Sequence, residues 1–257
     1  WEATLRENPT FATTVGDRRY NRLLDPVSPA DVQRRVEETR RFLARLEAIP
    51  RDSLTPDERV NYDIFARNAR QGIEEAGLGL HLIPITNREG FHTFFPELGE
   101  RVPLNNTEDY ENYVARLNAF RDWVGQHVAL MREGIRTGMV LPSVSLVGIE
   151  ETIQPHIVAD PTQNLLWGPF AEFPAGVPQA DRARLAAAGR QAIEQSVVPG
   201  YRDFLEFVQR EYVPAARRGI AASELPNGRA IYAQRVRNYT TLDLTPDQVH
   251  ETGLREV

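Results

Sequence analysis

The chain carries 257 residues, a formal net charge of −6 at pH 7 and no cysteine, and all 30 of its Lys/Arg positions are arginine. The acidic balance leaves no basic excess to neutralise phosphates, which argues against nucleic acid as a partner. The missing thiols and amines exclude disulfides, Cys-ligated zinc, iron–sulfur clusters, Schiff-base and Ser-Lys chemistry from these residues.

No apolar run approaches the ~18 residues of a membrane span, and the N-terminus lacks the charged-then-apolar pattern of a signal peptide. Trp1-Glu-Ala-Thr-Leu-Arg6 already reads as helix, which predicts that a leader or linker precedes it in the natural protein. The next helix starts at Ser28-Pro-Ala-Asp31, where Ser28 can cap free amide groups and Pro29 suits the first helical position. Val32, Val36, Phe42, Leu43 and Leu46 follow as its apolar stripe. Thr55-Pro-Asp-Glu58 repeats the start signal, and Val60, Ile64, Ile73 and Ala76 give a second inward stripe ending near Gly77 and Gly79.

A longer helix begins at Thr107-Glu-Asp109, turns Tyr110, Val114, Leu117, Val124, Val128 and Met131 inward, and stops at Gly138. Residues 85–106 and 139–178 are broken by proline, glycine and aromatics and read as ordered loops, the best places for a binding surface. From Pro178 to Arg218 the helical pattern returns, with Leu185, Ile193, Val197, Tyr201, Leu205, Val208 and Tyr212 buried. Pro199 and Pro214 are expected to kink or divide it. After Leu225-Pro-Asn-Gly228 come a short helix and, from the capping box Thr245-Pro-Asp-Gln248, a last one that stops at Val257 without a cap or polar tail. This end reads as truncation. The expected fold is therefore mostly α: residues 1–257 form a single helical domain, or the N-terminal fragment of a larger one, with at most a small β-hairpin around 80–86 or 139–147.

The chemistry-bearing residues do not assemble into a complete site. A helical zinc hydrolase needs two histidines one turn apart beside a glutamate; His250-Glu251 begins that pattern, but Leu254 stands where the second ligand belongs. Glu150-Glu151 and His156 are separated by Pro155, which prevents a one-face arrangement. His81, His92 and His127 lie far apart in sequence, and only folding can unite them. Pro142-Ser-Val-Ser145 is no nucleophile elbow, Glu74-Glu75 diverge on a helix, and Gly77-Leu-Gly79 lacks the rest of a dinucleotide fingerprint. Phe91, Phe94, Phe95, Trp167, Phe170 and Phe173 sit in the irregular segments, where they either line a peptide-binding cleft or pin the loops to the core.

Several segments in order resemble one bacterial family. They are Pro9-Thr-Phe-Ala-Thr-Thr-Val-Gly-Asp17, Arg88-Glu-Gly-Phe91, Thr107 to Leu117, Gly134 to Pro142, Tyr212-Val-Pro-Ala-Ala-Arg217, Leu225 to Gly228, Tyr232, and Tyr239 through Val257. Together they resemble the family known as domain of unknown function 885, grouped with gluzincin-like metallopeptidases.

The resemblance implies a helical zincin-like protein whose metal helix lies downstream of residue 257, with zinc expected in the full-length parent and no cofactor in this chain. The family's zinc ligands and general-base glutamate have no matching positions here, so no catalytic or metal residue carries over. It further implies that this portion supplies scaffold and one wall of a substrate channel. The candidate channel residues are Phe91, His92, Phe94, Phe95, Trp167, Phe170 and Tyr239. The implied partners are the remainder of the parent polypeptide and a peptide substrate, and the implied location is periplasm or cell envelope. A non-enzymatic helical interaction module is the alternative.

Overall fold

The computed structural model describes residues 1–86 and 88–256. Its axis is α7, Thr107–Thr137, which buries Tyr110, Leu117, Val124, Val128 and Met131 of the predicted stripe, leaves Val114 half-buried and encloses Phe120 as well. Asn106 caps it, its side chain accepting from the Asp109 amide at 3.0 Å, and Gly138 ends it in the left-handed conformation at φ 79°.

Against α7 lies a second long helical path, and its prolines do not divide it. It comprises α9 (Gln179–Ala192), a π turn (Ile193–Val197), α10 (Val198–Phe207), a second π turn (Val208–Tyr212) and the short α11 (Val213–Ala215). Proline lacks an amide proton and its ring crowds the carbonyl four residues back. Each π turn precedes a proline closely, and the Val198 and Val213 amides reach five residues back to Ile193 and Val208. The wider turn absorbs the misfit without breaking the helix. Tyr201, Phe204, Phe207 and Tyr212 thus stay in one core with α7. The two helices close tightly where Gly200 faces Phe120: a Cβ at Gly200 would stand 2.8 Å from that ring.

The connecting segments are short helical turns, among them α5 (Phe91–Phe94), α6 (Leu98–Arg101) and α8 (Gly168–Ala171). Isolated bridges join Ile85 to Gly90 and Pro142 to Arg217. Neither candidate hairpin segment extends beyond such a single pairing among the described residues.

At the N-terminus, α1 (Glu2–Glu7) and α2 (Pro9–Thr14) are tied to α7 by Arg116, whose side chain is fully buried. Its guanidinium donates to the carbonyls of Leu23 (2.8 Å) and Pro9 (3.1 Å) and to Thr13 Oγ1 (2.7 Å). Among the described residues no carboxylate bonds to it, and burial lowers its pKa to about 10.

The hairpin of α3 (Pro29–Glu47) and α4 (Pro56–Gly77) forms a separate arm. Both expected capping boxes are present, at Ser28 with Asp31 and at Thr55 with Glu58. Burial departs from the expected stripes: α3 buries no residue fully, and α4 buries only Ala66 and Ala69. Ile73 and Ala76 are half-buried, but Val60 and Ile64, expected inward, face out. Among the described residues no element covers the outer side of α4's first half, where Val60 and Ile64 are more than half exposed. The C-terminal α12 (Gly228–Thr240) meets α4 through polar groups, and α13 (Pro246–Glu256) buries nothing.

Candidate functional site

The two irregular segments are held to the core by aromatics. Phe91 stacks on His127 with ring centres 4.0 Å apart and meets Trp123 and Phe204 edge-on. Phe95 lies 4.0 Å from Phe120, and Phe170 packs against Tyr110 and Tyr113.

Folding gathers three histidines that are far apart in sequence. His92 packs against Phe91 and Phe204, its Nε2 is 3.0 Å from Thr152 Oγ1, and its carbonyl accepts from the Tyr201 hydroxyl at 2.8 Å. His156 stacks on Tyr201 at 4.5 Å. Both ring nitrogens of His127 and Nδ1 of His92 are buried without a protein partner.

Burial, and secondarily the adjacent imidazole, lowers the pKa of His127 to about 3 and of His92 to about 4; burial also lowers that of His156. Neutral rings without a carboxylate partner act here as packing groups. Among the described residues no three His, Asp or Glu side chains converge well enough to hold a metal ion. Glu150 instead accepts from Gln209, and His250 is exposed on α13. The site chemistry of a zinc hydrolase does not fit this chain's own side chains.

The channel candidates divide by burial. Phe91, His92, Phe95 and Phe170 are core side chains with no face to offer a substrate. Phe94 and Tyr239 are exposed and Trp167 is half-buried against Phe170: Phe94 lies beneath the Arg101 guanidinium and Trp167 beneath that of Arg190, while Tyr239 is open.

Two open grooves flank the arm, and neither was legible in the sequence. One, of about 930 Å³, lies between α1 and the arm, with Trp1, Glu7, Phe42, Leu46 and Phe65 among its walls. The other, of about 1040 Å³, lies between the arm and α7 and includes Val32, Ile73, His81, Leu130 and Met139. His81 is neutral there, its pKa lowered by burial and by nearby Arg35.

No curated protein matches this chain. Among solved structures it resembles a protein of Colwellia psychrerythraea described as "the putative lipoprotein", with a TM-score of 0.87 and 15% identity over 99% of this chain. The chain spans 46% of that protein's length. At that identity the likeness speaks for the fold alone. No helix among the described residues is long and apolar enough to cross a membrane. The family match is more direct: it runs over residues 9–257, and the chain belongs to the family described as "Bacterial protein of unknown function (DUF885)".

Proposed function

We propose that this chain is the N-terminal part of a longer zinc-dependent peptidase of the cell envelope, where it supplies scaffold and one wall of the channel that receives a peptide. The observation that carries the reading is that nearly all of the chain superimposes on less than half of a longer protein. Resemblance of the ordered segments to gluzincin-like relatives supports the peptidase class, and the neighbour's description as a lipoprotein supports the location.

In this reading residues 1–257 belong to a larger domain, and the zinc ligands belong to the rest of the polypeptide. The side chains left here to meet a substrate are exposed Phe94 and half-buried Trp167, with the groove between the arm and α7. Zinc analysis and peptidase assays on the full-length gene product and on this chain test the division. Zinc and turnover are expected from the long protein only; stoichiometric zinc with turnover from the 257-residue chain overturns the proposal.

A further inference from the structure

The outer side of α4 and the C-terminal end of α12 carry apolar side chains without a partner. On α4, Val60 is 56% and Ile64 52% exposed, one turn apart on one face, and Arg67 is the next residue of that face. Arg67 donates to the carbonyls of Arg237 (3.4 Å) and Asn238 (3.2 Å), which places Ile64 one turn from the end of α12. Tyr239 (83% exposed) and Leu242 (57% exposed) follow directly.

On the other side of Arg67 the two helices are joined by polar groups. Glu75 accepts from Gln234 (3.0 Å), Arg235 (3.1 Å) and Asn238 (2.8 Å), and Arg237 pairs with Glu74 at 2.6 Å. The α4–α12 junction is therefore satisfied, and the apolar ledge begins where it ends.

Helix α13 adds a second, independent observation. It is an 11-residue helix with no buried residue, and its Leu254 is 68% exposed. Isolated helices of that length are marginal in water and depend on packing for their stability. Helix α13 thus lacks the packing that usually stabilises a helix of its length, and an exposed apolar ledge is the kind of surface that marks an interface.

We infer that the ledge of Val60, Ile64, Tyr239 and Leu242 is the docking surface for the polypeptide that follows α13 in the full-length protein, which folds back across α4 and the end of α12. The occupant is argued from length: the similar solved chain is more than twice as long, and the matched part takes in 99% of this chain, so the larger share of such a protein lies outside it. This inference rests on the reading above that the natural protein is longer.

Residues 1–257 contain no cysteine, so single thiols can report on the ledge. V60C, I64C and L242C are placed one at a time in the full-length gene product, and maleimide labelling of each introduced site is followed by peptide mapping, in buffer and in urea. The expected result is labelling at least tenfold slower in buffer than in urea at all three sites, independent of protein concentration. Labelling in buffer within threefold of the urea rate overturns the inference. Protection that disappears on dilution overturns it too, in favour of a second copy. A full-length protein that binds zinc and cleaves peptides while its ledge thiols react freely refutes the docking surface alone; a reading frame that stops at residue 257 refutes both the surface and the functional reading.

Discussion

Helices α7 and α4 are both long, capped and striped with apolar residues at helical spacing. In α7 the stripe is buried against α9 and α10, with Leu117, Phe120 and Met131 fully enclosed. In α4 the same kind of stripe leaves Val60, Ile64 and Phe65 open, and only two alanines are buried. Periodicity tells which residues share a face; whether the face is covered depends on what the rest of the fold brings to it. The core of α7, α9 and α10 has its apolar faces enclosed, whereas the arm leaves the outer face of α4 exposed.

The largest expected effect lies in the enclosed region. Phe204 has no exposed surface and touches Phe91, His92 and Phe207. Phe204→Ala should cost about 3–5 kcal/mol through lost burial and a residual cavity, read as a lowered urea midpoint. A loss under about 1 kcal/mol would mean that this core is no better packed than the arm.

Acid should attack the same region next. His127 and His92 are neutral when folded, with pKa values lowered to about 3 and about 4, while an unfolded imidazole titrates near 6.5. Below about pH 6.5 the unfolded chain binds protons that the folded one does not, so stability present at neutral pH is lost as pH falls toward 4 and then 3. The loss should be on the order of a few kcal/mol. Urea midpoints between pH 7 and 4 check this, and His127→Phe, which keeps a ring on Phe91, should flatten the slope; an unchanged slope would remove His127 from the account.

A comparable or smaller effect is expected at Arg116, and it should be regional. Arg116→Ala strands the buried carbonyls of Pro9 and Leu23 and the Thr13 hydroxyl, for roughly 2–4 kcal/mol, part of the gross penalty being offset because a buried charge is also removed. Hydrogen exchange should quicken over residues 9–25 before it quickens in α10. Uniform acceleration would show that the N-terminal segment is not a separately anchored layer.

How much of this was readable beforehand follows from the same contrast. Caps at Ser28, Thr55 and Thr245 and the stop at Gly138 are local, depending on two or three neighbouring residues, and they appear where the sequence puts them. Most of the inward stripes of α7 and of the α9–α11 path was also legible, because each has a partner in the same chain, but Val114 and Leu205, expected inward, are half-buried, and Phe120, Phe204 and Phe207 fill the core instead. Pro199 and Pro214 did not break their helix, since a π turn is a remedy that propensity does not display. The meeting of His92, His127 and His156, the carbonyl-binding role of Arg116 and the grooves beside the arm are products of contacts between residues distant in sequence, 60 positions for His92 with Thr152 and 93 for Arg116 with Leu23, and no short motif announces them. Among the candidate channel residues Phe94 and Tyr239 are exposed, Trp167 is half-buried and the other four are buried, a distinction set by tertiary packing more than by residue type.

The smallest effect is the one that tests the arm itself. In the 257-residue chain Val60→Ser exchanges one exposed side chain for another of lower apolar area, so the urea midpoint should move by no more than about 0.5 kcal/mol. Covered by further polypeptide, the same valine would lose burial worth roughly 1–2 kcal/mol, part of the 1.5–3 kcal/mol for a fully enclosed side chain. Measuring Val60→Ser in both lengths of protein therefore sharpens the comparison at its weak end. A cost above about 1 kcal/mol in the short chain would show that the outer face of α4 is already engaged within these 257 residues, and the contrast between arm and core would fail at the residue that most clearly expresses it.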